Sequence, residues 1–180
     1  NEKVITSGNS KAINDNNTIT ASSLEYDKIN NIFKAKKYAV AKDFEKKTTI
    51  YADEITYLKN KEKFFTTGTS KAINENNIIT ASSLEYDKKN NIFKAIKDAV
   101  VNDLEKDTTI YGDEITYLKN EEKFFTNGNS KAIDGNNTIT AASLEYDKIN
   151  NIFKAKNDAV INDLEEDTTI YADEITYLKN

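Results

Sequence analysis

Apolar and polar residues alternate along this chain with a period of two, as in Thr49-Ile50-Tyr51-Ala52 and Glu54-Ile55-Thr56-Tyr57. Alternation built from Ile, Tyr, Thr and Phe predicts strands with one buried face. The phase then slips. Ile50 and Ala52 share one parity, and Ile55 and Tyr57 have the other. Both pairs can face one core only if a residue is absorbed between Ala52 and Ile55, as a bulge or corner does. The same slip recurs at Ala21/Leu24, Ala81/Leu84, Gly112/Ile115, Ala141/Leu144 and Ala172/Ile175. A small residue at each corner lets the backbone bend close to the core.

Polar runs such as Asp27-Lys28-Ile29-Asn30-Asn31 and Leu58-Lys59-Asn60-Lys61-Glu62 have the length of hairpin loops. Phe33, Ala35, Ala39 and Ala41 continue the alternation on the return strand, and Phe64 and Thr66 do so in the next block. Each block therefore reads as a long bent hairpin with two strands of about eight to twelve residues. Residues 30–47 also contain good helix formers. Their counterpart in the next block, residues 62–77, carries Gly68 and β-favouring Thr, Phe and Ile, so the strand reading is preferred for both.

The hairpins belong to an internal repeat. Ser10-Lys11-Ala12-Ile13 returns at Ser70 and Ser130, Leu24-Glu25-Tyr26-Asp27-Lys28 at Leu84 and Leu144, and Asp53-Glu54-Ile55-Thr56-Tyr57 at Asp113 and Asp173. The period is sixty residues, giving units 1–60, 61–120 and 121–180 of a single domain. A finer half-period near thirty residues makes six half-blocks. Fixed-period similarity signals an elongated array in which each unit buries its apolar face on its neighbours. Whole periods read as a piece of a longer array or as a designed repeat.

Composition narrows the function. Apolar residues make up 38% of the 180, which suits a core one layer deep. A net charge of −5 with interleaved Lys, Asp and Glu argues against a nucleic-acid partner and for a solvated surface. The chain has no Cys and no His, so thiolate sites, zinc sites and imidazole bases are excluded. No apolar stretch is long enough for a transmembrane helix. Asp53-Glu54, Asp113-Glu114 and Asp173-Glu174 do not read as catalytic pairs, because adjacent strand residues face opposite ways and a catalytic pair has no reason to occur three times. The chain reads as a non-enzyme without cofactor or metal. Asp43, Asp103 and Asp163 could take calcium loosely, but solvated turns explain them more simply, and Lys88 is likewise expected in an exposed turn. The sequons at Asn16 and Asn136 are expected by chance in an Asn-rich chain.

The half-block pattern, exemplified by Ile50-Tyr51-Ala52-Asp53-Glu54-Ile55-Thr56-Tyr57 and followed by Gly steps at Thr67-Gly68-Thr69, Gly8-Asn9 and Gly128-Asn129, resembles the OstA-like repeats of the lipopolysaccharide-transport family. These are found in its periplasmic bridge protein and in the N-terminal domain of its outer-membrane translocon. Lys37, Lys97 and Asn157 stand where that Gly would be. The resemblance implies a twisted, V-shaped antiparallel β-jelly-roll that carries acyl chains of lipopolysaccharide, or a similar lipid, in an inner groove. It also implies a periplasmic location and end-to-end stacking with itself or related rolls through edge strands.

The groove candidates are two aromatic ladders, Tyr26, Tyr57, Tyr86, Tyr117 and Tyr146 with Phe33, Phe64, Phe93, Phe124 and Phe153. Ile50, Ile55, Ile79, Leu84, Ile110, Ile115 and Leu144 stand with them. The same residues serve equally as ordinary core packing. The alternative function is then a structural spacer or self-assembling β filament without ligand, extracellular in setting.

Overall fold

The computed structural model describes residues 2–14 and 16–179, and it is all-β. In chain order the strands are β1 (Lys3–Asn14), β2 (Asn17–Asp27), β3 (Ile32–Asp43), β4 (Thr48–Leu58), β5 (Lys63–Thr67), β6 (Ser70–Asn74), β7 (Asn77–Ala81) and β8 (Ser83–Asp87). They continue as β9 (Ile92–Asp103), β10 (Thr108–Leu118), β11 (Lys123–Asn127), β12 (Ser130–Asp134), β13 (Asn137–Ala141), β14 (Ser143–Asp147), β15 (Ile152–Asp163) and β16 (Thr168–Leu178). All sixteen join one antiparallel sheet. Four legs are split by one or two residues (β5 with β6, β7 with β8, β11 with β12, β13 with β14), so the sixteen strands form twelve legs in simple up-and-down order. The segment for which a helix was weighed is strand β3 and its turn.

Every leg bends at its middle. Between β3 and β4 the register runs Lys36↔Glu54 and then Ala39↔Ala52, so Lys37 and Tyr38 together oppose Asp53. Between β15 and β16 it runs Lys156↔Glu174 and then Ala159↔Ala172. The corner is thus two residues against one. The odd residue on the even leg is the slip visible in the sequence, and the pair on the odd leg keeps the parity of Ala35 and Ala39. Both halves of both legs consequently turn the same face inward, and Ala35, Ala39, Ala52 and Ile55 are all buried.

Backbone hydrogen bonds cross the bend, so the sheet folds along a crease without breaking. The Asp113 N–H donates to the Gly128 carbonyl at 2.9 Å, the Gly128 N–H to the Ala142 carbonyl at 3.1 Å, and the Ala142 N–H to the Asn157 carbonyl at 3.0 Å. Where the ladder between β11 and β14 stops at Phe125↔Glu145, the Thr126 hydroxyl accepts from the Leu144 N–H at 2.9 Å. Thr66 does the same for Leu84 at 2.7 Å. Buried backbone donors need such partners, which accounts for Thr at this place in legs 63–74 and 123–134.

The crease requires left-handed backbone. Gly8 (φ 71°), Gly68 (φ 78°) and Gly128 (φ 72°) take it readily. Lys37 (φ 62°) with Tyr38 (φ 54°), Lys97 (φ 65°) with Asp98 (φ 53°), and Asn157 (φ 63°) with Asp158 (φ 53°) adopt it against steric preference. Lys97→Gly is therefore expected to raise stability by about 1 kcal/mol, the left-handed penalty outweighing the entropy glycine adds to the unfolded chain. Gly68→Ala should lower stability by about 2 kcal/mol, since its Cβ would run into the Asp53 carboxylate. Urea unfolding midpoints at unchanged m-value check both.

Candidate functional site

Folding the sheet along its crease brings its two halves face to face and creates one apolar interior along the whole chain. The half carrying the C-terminal ends of the even legs presents the aromatic ladder. Its rings stack without a break from Tyr26 through Phe33, Tyr57, Phe64, Tyr86, Phe93, Tyr117, Phe124 and Tyr146 to Phe153, with Tyr177 tilted by 32° at the end of the file. Centroid spacings alternate, 4.2 Å for Tyr86–Phe93 and 6.2 Å for Phe93–Tyr117. An antiparallel residue forms a close pair with one neighbouring strand and a wide pair with the other, which imposes this rhythm. The opposite half contributes smaller side chains, among them Ile19, Ala41, Ile50, Ala72, Ile79, Val101, Ile110, Ala132 and Ile139, all buried.

The structure brings all the sequence-predicted candidates together in this interior. Ile55, Ile115, Leu84 and Leu144 lie on the ladder half between the rings and the crease, and Ile50, Ile79 and Ile110 face them. Tyr26 and Phe33, near the first edge, are only half-buried. The two halves are in direct contact: the space enclosed by Ile110, Phe124, Thr126, Ala132, Leu144, Tyr146 and Phe153 does not admit a water-sized sphere.

The long side opposite the crease is a seam between two rows of hairpin turns. One row includes the turns following Asp43, Asn74, Asp103, Asp134 and Asp163, and the other those following Asp27, Leu58, Asp87, Leu118 and Asp147. Here the structure corrects two expectations. Asp43 and Asp103 are not solvated turn residues, and Lys88 is not exposed; all three are buried. Lys88 Nζ crosses the seam to Asp43 Oδ2 at 3.1 Å. Lys148 Nζ lies 3.2 Å from Asp103 Oδ1 and 3.1 Å from Glu105 Oε2. Lys179 pairs with Asp134 in the same way. Lys119 donates to the Lys46 carbonyl at 3.2 Å and faces Glu75 at 3.6 Å. Asp43 and Asp103 also hold their own turns, Asp43 Oδ1 accepting from the Lys46 N–H and Asp103 Oδ1 from the N–H groups of Glu105 and Lys106.

Below these charges lie the phenol groups. Asn77 Nδ2 donates to Tyr117 OH at 3.4 Å and Asn137 Nδ2 to Tyr177 OH at 3.1 Å. Burial, and then the charge of Asp43, push the Tyr86 phenol well above its ordinary range. Burial and Asp103 do the same for Tyr146, and burial and Glu122 for Tyr117. Burial works to lower the Lys148 ammonium, but the hydrogen bond to Glu105 and the charge of Asp103 outweigh it and leave its pKa raised.

Sequence reasoning overlooked the seam pairs. Their signal was present as a recurrent spacing: the Lys179–Asp134 pair is separated by 45 residues, and so are Lys88–Asp43 and Lys148–Asp103. That distance corresponds to one and a half half-blocks and means nothing until the sheet is folded.

Among the described residues no group of three or more acidic side chains could hold a metal ion, and no helix is long and apolar enough to cross a membrane. No protein-family model and no curated protein matches the chain. Among solved structures it is similar to the crystal structure of LptH, the LptA homologous periplasmic component of the conserved lipopolysaccharide transport device from Pseudomonas aeruginosa. The identity is 16% and the TM-score 0.35, over 91% of this chain and 95% of that one.

The raised phenols predict alkaline sensitivity. A group that binds its proton more tightly when folded contributes stability that is complete below its unfolded value, 10.0 for Tyr, and is lost as pH rises through the folded value. Lys148 acts in the same direction. The thermal midpoint should be flat from pH 7 to about 9 and fall steeply above about 10, with tyrosinate absorbance appearing together with loss of the β circular-dichroism signal.

Proposed function

We propose that the chain is a non-enzymatic carrier module of the periplasm, a β-roll that conveys lipopolysaccharide or a similar lipid with its acyl chains in the apolar interior and its sugars outside. The observation that carries this reading is the interior itself: a single apolar file running from one end of the chain to the other, closed by backbone on one side and only by side chains on the other. The likeness of the half-blocks to OstA-like repeats supplies the lipid class. Each acyl CH₂ removed from water contributes about 0.8 kcal/mol, so contact with a few rings suffices for a carrier that must also release. Tyr26, Phe33, Ile50, Ile55, Tyr57, Phe64, Ile79, Leu84, Tyr86, Phe93, Ile110, Ile115, Tyr117, Phe124, Leu144, Tyr146 and Phe153 are the proposed lining.

The ends support stacking. Among the described residues β1 pairs only with β2, and β16 only with β15. Inside the chain, the junctions β4 to β5/β6 and β10 to β11/β12 repeat one register, with Tyr57↔Phe64 and Tyr117↔Phe124 in corresponding places. A second copy continuing that register would set Val4 opposite Tyr177 and bring its Lys28 to Asp163, as Lys88 meets Asp43. A second reading, a ligand-free spacer or filament, is favoured by the close contact between the two halves of the interior.

A photo-crosslinking side chain at Phe93 distinguishes the two, with the exposed Lys89 as control. An adduct with purified lipopolysaccharide from Phe93 and not from Lys89 is the expected result; none from either site, with strand content intact, makes the chain a spacer. Asp163→Lys should weaken end-to-end association about tenfold by placing like charges together, read as a shift in the concentration dependence of light-scattering mass.

A further inference from the structure

The two long sides of the roll are held by different forces. Along the crease backbone hydrogen bonds pass from leg to leg, and threonine hydroxyls complete them where the ladder stops. Along the seam, backbone hydrogen bonds run from turn to turn within each row, as from the Lys148 N–H to the Glu122 carbonyl at 3.0 Å and from the Leu104 N–H to the Asn76 carbonyl at 2.9 Å. The bonds found across it start from side chains, above all the ammonium groups of Lys88, Lys148 and Lys179. The seam is also where buried polar groups go unmet. Among the described residues Asp103 Oδ2 and Asn77 Oδ1 have no hydrogen-bond partner, although the apolar layer beneath them is closed. Buried groups left without partners are costly and mark the least satisfied part of a fold.

We infer that the Lys–Asp pairs are latches, and that the seam parts locally about the crease as a hinge, exposing the interior while the sheet stays intact. Breaking one latch releases side-chain contacts and admits water to the orphaned polar groups, and it leaves every strand pairing in place. Removing only one charge of such a pair strands the other in a dry site, which strongly favours opening. Removing both takes away the penalty and lets the seam close. This holds whatever the interior carries.

The chain lacks cysteine, so a single introduced thiol reports the opening cleanly. Val101→Cys sits beneath the Asp103–Lys148 latch and is fully buried, and Ala35→Cys is an equally buried reference in the first unit. With Lys148→Met added, reaction of the Val101→Cys thiol with a small maleimide should accelerate roughly a hundredfold, while the Ala35→Cys rate stays the same. Adding Asp103→Asn to Lys148→Met should return the rate to near its starting value, because Asn keeps an oxygen for the turn N–H groups and carries no charge. An equal rise at both thiols would mean global unfolding and would overturn the latch. So would an unchanged Val101→Cys rate, or a double variant that labels as fast as the single one. No lipid is present in the experiment, so its outcome is independent of the carrier reading.

Discussion

Everything in this molecule depends on an unequal count at one place in each leg. Two residues on an odd leg oppose one on the next even leg, as Lys37 and Tyr38 oppose Asp53. With equal counts the side-chain period of two would turn one half of every second leg outward, and a folded sheet would bury polar residues against apolar ones. With two against one, Ala39 and Ala52 on one side of the bend and Ala35 and Ile55 on the other all point inward. The bend occurs at the same height in every leg, so it adds up to a straight crease. Because the crease keeps its backbone hydrogen bonds, folding the sheet leaves few backbone groups unpaired. The residual strain is stored in left-handed residues, which glycine relieves in legs 3–14, 63–74 and 123–134 and which the pairs Lys37–Tyr38, Lys97–Asp98 and Asn157–Asp158 bear in legs 32–43, 92–103 and 152–163.

The crease determines what the interior can be. Each leg after β1 supplies one aromatic ring at a fixed height, and neighbouring legs are hydrogen-bonded, so the rings have no choice but to line up in a file. Pairs of stacked aromatics add about 0.5–1.5 kcal/mol each beyond their burial, and the file extends with every hairpin. Stability therefore accumulates lengthwise, unit upon unit, as expected of a one-dimensional array. The interior has no centre, only a cross-section that repeats.

Much of this was legible in the residues. The slip between Ala52 and Ile55 located the bend, the Asp/Asn-rich runs located the turns, and the recurrence of Tyr and Phe located the ladder. The second residue of each corner was not legible, because Ala35 and Ala39 keep their parity across two extra positions and leave no trace in the pattern. The seam was hidden for a different reason. Lys88 and Asp43 each sit in a polar turn, and a lone charge in a turn reads as solvated. They become a buried pair only because the folded sheet brings opposite rows of turns together, a relation no local pattern encodes. The Thr hydroxyls inside the crease belong with them: Thr126 looked like an ordinary strand residue, whereas its oxygen completes a ladder that the bend cuts short.

Whether such an interior is a core or a channel is a question about the seam more than about the rings. An acyl chain entering the file would exchange ring-to-alanine and ring-to-isoleucine contacts for ring-to-methylene contacts, and apolar surface would remain covered throughout. The apolar terms nearly cancel. What does not cancel is the separation of Lys148 from Asp103 and of Lys88 from Asp43, charges that are buried when the roll is shut and hydrated when it is open. Desolvation and attraction are both large in such pairs and nearly offset each other. The balance between closed and open therefore rests on a few side chains per unit, while the crease stays under the protection of the backbone. A roll built this way can be as tightly packed as any core and still open along one line.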